Sequence, residues 1–163
     1  MNKIISIKKA KKIAKDFRKQ NKKIIITGGC FDILHVGHMK LFNESKKQGD
    51  FLFVLLENDK TVKKLKGRGR PINPQLERAE VLANLSSVDY IVMLHEMKNN
   101  EDYDNLISDL MPSVITTTEN DPQVIHNERQ AKKVGAKVLY VTKRINNKST
   151  SLIAKIISKN FDK

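Results

Sequence analysis

Ile24-Ile25-Ile26-Thr27-Gly28-Gly29-Cys30-Phe31-Asp32-Ile33-Leu34-His35-Val36-Gly37-His38 carries the information that sets the architecture of the chain. Its opening residues are β-branched and wholly apolar, the composition of a strand covered on both faces of a parallel sheet. Gly28 and Gly29 then let the backbone turn sharply and approach closely whatever lies above the strand end. Met39, Leu41, Phe42 and Ser45 begin a helical spacing, so His35 and His38 fall at a helix start, three residues apart and on one face. A helix N-terminus offers unpaired N–H groups and partial positive charge, a seat for phosphate. Two imidazoles there can donate to one polyphosphate. Other readings of the pair are half of a zinc site or an inert surface pair. The other histidines are His95 and His126, and Cys30, the one cysteine, lies inside the stretch itself.

Outward from this stretch, strands and helices alternate. Residues 4–20 space apolar positions at three and four, predicting an amphipathic helix, the N-terminal piece (1–21) of one domain covering 1–163. After the helix at about 36–48, Phe51 to Leu56 reads as a second buried strand, and Glu57-Asn58-Asp59 closes it at the same edge as the histidines. The run from Lys60 to Pro71, cationic and broken by Gly67 and Gly69, reads as a mobile loop beside the phosphate seat, able to close on substrate. A helix starting at Asn73-Pro74 follows, with Glu77, Arg78, Val81, Leu82 and Leu85 marking its turns. Then come a third strand (Val88 to Leu94), a helix at 102–110, a fourth strand (Ser113 to Thr117), a helix at about 122–133, a fifth strand (Lys137 to Thr142) and a last helix to about 159.

Five strand–helix alternations predict an α/β, Rossmann-like, doubly wound parallel sheet of order 3-2-1-4-5. Strands one and four then flank the switch point. That order gathers Gly28–His38, Thr117, Glu119 and Asp121, and Ser149, Thr150 and Ser151 around one cleft, with the last helix's N-terminus a second anion seat. No Gly-x-x-x-x-Gly-Lys-[Ser/Thr] and no Gly-x-Gly-x-x-Gly is present, which argues against a P-loop enzyme and against dinucleotide binding.

The net charge is +13, but the lysines are scattered and aromatics are few, which argues against nucleic acid as the partner and for anionic nucleotides and phosphorylated substrates. No run approaches the ~20 apolar residues of a membrane span, and no apolar run follows the basic N-terminus. One cysteine excludes an intramolecular disulfide and fits a reducing cytoplasm.

Gly-Gly-Cys-Phe-Asp-Ile-Leu-His-Val-Gly-His resembles the signature of the cytidylyltransferase-like nucleotidyltransferases, the His-x-Gly-His family. Asp59-Lys60-Thr61-Val62-Lys63-Lys64-Leu65-Lys66-Gly67, Arg70-Pro71-Ile72-Asn73-Pro74 and Glu77-Arg78 resemble two adenylyltransferase branches, heptose 1-phosphate adenylyltransferase and archaeal FAD synthetase. The resemblance implies transfer of a nucleotidyl group (AMP favoured, CMP possible) from a nucleoside triphosphate to a phosphorylated small molecule, with pyrophosphate released. It assigns Lys66 and Arg78, with His35 and His38, to catalysis on the phosphates and matches Ser149-Thr150-Ser151 to an element at the family's last helix. Together with position around the cleft, the residues read as nucleotide-binding are Gly28, Gly29, Cys30, Phe31, Asp32, Gly37, Lys63, Thr117, Glu119, Asp121, Ser149, Thr150 and Ser151. Phe31 reads as packing whose backbone N–H touches the nucleotide; Asp32 reads as a magnesium helper or a structural cap. Magnesium is expected on the phosphates rather than in a protein cage, and members are commonly homodimers. Two departures leave the acceptor and the base open: Ser86-Ser87 where glycerol 3-phosphate cytidylyltransferases carry Arg, and Thr116–Pro122 where the heptose enzymes carry a Lys-Gly-Gly-Asp-Tyr-like element. The alternatives are a cytidylyltransferase of the glycerol 3-phosphate type and a non-catalytic nucleotide or nucleic-acid binder.

If the cation run serves the phosphates, Lys66→Ala lowers turnover far more than Lys12→Ala on the leading helix, as steady-state rates of the two variants will show; equal effects would reduce the run to solvated surface.

Overall fold

A computed structural model describes residues 2–143. Its centre is a parallel sheet of six strands in the order β1-β4-β3-β2-β5-β6. The strands are β1 (Ile4–Ser6), β2 (Ile24–Gly29), β3 (Phe51–Leu56), β4 (Tyr90–Met93), β5 (Val114–Thr118) and β6 (Lys137–Thr142). Between them run α1 (Ile7–Lys19), α2 (Val36–Lys46), α3 (Asp59–Lys66), α4 (Gln75–Ala83), α5 (Asn100–Leu110) and α6 (Val124–Val134). The five expected strands have the expected order. The sixth, β1, corrects the reading of 4–20 as all helix: the β-branched Ile4 and Ile5 pair with Ile91 and Val92 at the sheet edge. Ser6 then caps α1, its hydroxyl accepting from the Lys9 N–H at 3.3 Å.

Strand periodicity divides the core in two. Along β3, Phe53 and Leu55 face α1, α5 and α6, beside Ala10, Ala14, Leu106, Leu110 and Ala131. Leu52, Val54 and Leu56 face α2 and α4, beside Leu41, Phe42, Ala79 and Leu82. α1 lies on the first face, with Phe17 stacked on Phe51 at 3.8 Å between ring centroids. α2 is tied to the other face by a buried hydroxyl pair, Ser45 Oγ to Thr116 Oγ1 at 2.7 Å.

A second correction concerns the cationic run. Residues 59–66 are helical rather than a loop. Asn58 caps α3 by accepting from the Thr61 N–H at 3.0 Å, Val62 is fully buried beneath it, and Gly67 ends it at φ +93°. Only the segment after Gly67 is irregular, and Asp32 holds its far end (below). The expected last helix, with Ser149–Ser151, lies outside the described residues. Among the described residues no helix is long and apolar enough to cross a membrane.

Gly49, before β3, admits no side chain: a Cβ there would overlap Ile25 Cδ1 and lie 2.9 Å from Lys23 Cβ. Gly49→Ala therefore costs about 1–3 kcal/mol through forced repacking, measurable as a lower urea midpoint at unchanged m-value.

Candidate active site

The site forms where β2 and β3 end. Gly29 precedes Phe31, whose ring would stand only 3.0 Å from a Cβ at position 29. Phe31 itself adopts φ +42°, is buried, and packs against Phe42 (5.0 Å between centroids) and edge-on against His38 (5.3 Å). The glycine thus lets the aromatic ring fold back under the strand end and become the floor for the histidines. Phe31 is packing, as expected, and no free stacking platform.

His35 is the N-cap of α2, and its Nδ1 accepts from the Gly37 N–H at 3.1 Å, which leaves the ring proton on Nε2. His38, one turn on, stacks on it with centroids 3.9 Å apart. Its Nδ1 is buried and has no partner among the described residues. Burial, reinforced by His35 and the Lys66 ammonium, pulls His38 down to about 4, so the ring is neutral at physiological pH. The site therefore holds two stacked imidazoles with Lys66 close enough to influence one of them. Lys63 and Lys66 are exposed on α3.

Arg78 sits otherwise than expected. It is 2% exposed, and its guanidinium is committed to protein groups. Nε donates to the Asn73 carbonyl at 3.0 Å, one terminal nitrogen to the Cys30 carbonyl at 2.5 Å, the other to the Glu57 carbonyl at 2.8 Å and the Asp59 carboxylate at 2.7 Å. It ties together the ends of β2 and β3, the start of α3 and the approach to α4.

Asp32 resolves toward the cap. It is 4% exposed, pairs with Arg70 Nε at 2.5 Å and accepts from the N–H groups of Ile72 (2.9 Å) and Asn73 (3.0 Å). Burial opposes its ionisation, but those two N–H groups and Arg70 hold the carboxyl below its ordinary value. Thr117 is buried with its hydroxyl on Asp121, which in turn accepts from the Gln123 N–H ahead of α6; Glu119 is exposed nearby. Cys30 is half-buried, its thiol pushed up by burial against the opposing pull of Lys66.

Sequence reasoning missed Tyr103, whose hydroxyl donates to both oxygens of the Glu57 carboxylate at 3.0 and 3.1 Å. It also missed Gln75, whose amide donates to the carbonyls of Leu56 and Leu94, closing β3 and β4. The usable signal for Glu57 is that it is the first polar residue after six apolar ones; nothing in the sequence flags Tyr103. Among the described residues no three metal-ligating side chains converge.

Residues 26–156 match the Cytidylyltransferase-like family. The chain belongs to that family. Its relatives include the "Bifunctional protein HldE" of Desulfatibacillum aliphaticivorans, 31% identical over 155 residues, which covers 94% of this chain and 31% of that protein. The protein of the same name from Nitratiruptor sp. is 52% identical over 84 residues, 52% of this chain and 18% of that one. The chain thus spans less than a third of the length of these relatives. Among solved structures, a lipopolysaccharide core biosynthesis protein from Thermoplasma volcanium GSS1 superposes with a TM-score of 0.59 at 27% identity, covering 76% of this chain and 97% of that one. Pantoate-beta-alanine ligase from Francisella tularensis, at 17% identity, covers 95% of this chain and 78% of its own with a TM-score of 0.64, a likeness of fold alone.

His38 gives a pH signature. Its folded pKa lies below the ordinary 6.5, so the unfolded chain takes up the proton first. Its contribution is intact above about pH 6.5 and is lost as pH falls toward 4, by at most about 3 kcal/mol. Stability curves of wild type and His38→Gln will therefore diverge below pH 6.5, with the variant the flatter.

Proposed function

We propose that this nucleotidyltransferase moves an adenylyl group from ATP onto the phosphate of a phosphorylated sugar. The observation that carries the reading is the stacked His35–His38 pair at the start of α2, with a neutral His38 beside Lys66. Support for the adenylyl and sugar components comes from the resemblance of Asp59–Gly67 and Glu77-Arg78 to the adenylyltransferase branches. The HldE relatives and the lipopolysaccharide core biosynthesis protein of similar fold point the same way.

A non-bridging oxygen of the acceptor phosphate attacks the α-phosphorus of ATP; the new P–O bond forms as the bond to the β-phosphate breaks, and pyrophosphate leaves with the electron pair. The attacking oxygen is already an anion, so no base is required, and catalysis is alignment plus electrostatic stabilisation. His35 contributes its Nε2–H, the tautomer set by Gly37. Neutral His38 contributes an N–H without adding a further positive charge beside Lys66. Lys66, with Lys63 behind it, offsets charge growing on the leaving group. A magnesium ion arriving on the triphosphate would neutralise β- and γ-phosphate charge. Asp32, engaged with Arg70 and the 72–73 backbone, serves the fold rather than the ion. Arg78 shapes the floor.

The test is melting temperature with magnesium and each of ATP, CTP, GTP and UTP, followed by pyrophosphate release with hexose and heptose 1-phosphates, glycerol 3-phosphate and FMN. ATP raises the melting point by mass action, and a sugar phosphate gives turnover that His38→Ala lowers by roughly 10²–10³ while remaining folded. A shift with CTP alone would replace adenylyl by cytidylyl, and a normal rate in His38→Ala would remove the histidines from the chemistry.

A further inference from the structure

The two faces of the sheet differ in chemistry at the strand ends. Side chains alternate along β3, so Glu57, immediately after it, continues the row of Phe53 and Leu55 toward α5, away from α2 and the histidines. On β2 the residue of the same row is Gly28, paired with Leu55. Gly28 is exposed, and a Cβ there would meet nothing closer than Leu55 Cβ at 3.7 Å, so the space above it is open on this face. On β5 the same row continues from Ile115 to Thr117, whose hydroxyl sits on Asp121. Beyond the strand ends the α5 face is thus lined by two carboxylates and two hydroxyls, in a chain of net charge +13. The α2 face carries the imidazoles, with Lys66 within their electrostatic reach.

Such a division sorts a substrate. Carboxylates repel phosphate and accept from hydroxyl groups, whereas imidazole N–H groups and an ammonium do the reverse. Glu57 has the placement and capacity for this. It is half-buried, its backbone N–H is pinned to the Gly29 carbonyl at 3.1 Å, and its carbonyl accepts from Arg78. One donor, the Tyr103 hydroxyl, bridges both carboxylate oxygens and leaves acceptor positions unused. Burial raises the Glu57 carboxyl, with Tyr103 and Arg78 pulling the other way, as suits an acceptor that water solvates poorly.

We propose that Glu57, oriented by Tyr103, is the specificity-determining acceptor of hydrogen bonds from the hydroxyl groups of the sugar, placing the acceptor substrate across Gly28 with its hydroxyls on the α5 face and its phosphate toward the histidines. This rests on the sugar-phosphate reading above. It makes Glu57 a substrate-contacting residue and Tyr103 a positioning one.

Glu57→Gln keeps an oxygen that can accept from Tyr103, so the fold is retained, which a melting shift with magnesium ATP equal to that of wild type will verify. Steady-state pyrophosphate release is then measured with the best hexose or heptose 1-phosphate and its monodeoxy analogues. The expected result is an acceptor KM raised roughly 10- to 100-fold, a nucleotide KM unchanged within about twofold, and reduced discrimination against one deoxy analogue. Tyr103→Phe is expected to raise the acceptor KM by a smaller factor without moving the nucleotide KM. An unchanged acceptor KM and unchanged deoxy discrimination in Glu57→Gln, with wild type active on the sugar phosphate, would overturn this inference and leave the functional reading standing. Wild-type turnover with FMN alone, or with no acceptor despite ATP binding, would overturn both.

Discussion

A single buried guanidinium holds the working end of this protein together. Arg78 reaches from α4 under the strand ends and donates to the carbonyls of Cys30 and Glu57, the carboxylate of Asp59 and the carbonyl of Asn73. Each is a group that the end of a strand, the start of a helix or an irregular turn would otherwise leave without a partner. Burying one cation is costly, and it is tolerated because every side of the guanidinium meets an oxygen. The same contact fixes the distance between the histidine stretch and α3, so the lysines of α3 and the imidazoles of α2 share one frame.

The second constraint is electrostatic. A strongly cationic protein handling polyphosphate would be expected to crowd its site with charge, yet the two groups nearest the proposed reaction are imidazoles stacked on each other. Burial against the Phe31 ring, reinforced by His35 and Lys66, keeps His38 neutral, which makes it a directional donor instead of another diffuse positive charge. Asp32 supplies the complementary support by anchoring residues 70–73 beneath the site.

Much of this was legible beforehand, for identifiable reasons. The run Ile24–Ile26, the glycines and the histidines are contiguous, so local chemistry alone places them at a strand end and a helix start. The strand order follows from right-handed crossovers. What escaped is what depends on partners distant in sequence. Ile4–Ser6 continues the apolar spacing of the helix behind it, and only pairing with β4 makes it a strand. The lysine-rich α3 reads as a loop because its anchors are one buried valine and a contact from Arg78. Arg78 reads as a phosphate contact by resemblance, since nothing local reveals that the guanidinium is committed to protein groups. Glu57 and Tyr103 lie 46 residues apart on different elements, and only the fold brings them together.

The two halves of the site are built by different means. The histidine half is backbone architecture: a strand end, a glycine under an aromatic ring, and a helix cap, none of which can change without disturbing the core. The opposite half reaches the strand end through one phenol at the start of α5, a helix otherwise held by Leu106, Ile107 and Leu110 farther along. The exposed positions of the opening turns of α5, Asn100, Glu101 and Asn105, can therefore accumulate substitutions at little cost to folding. A scaffold of this kind keeps its chemistry while its choice of substrate drifts, because the residues that evolution can afford to alter are not those that hold the reaction in place.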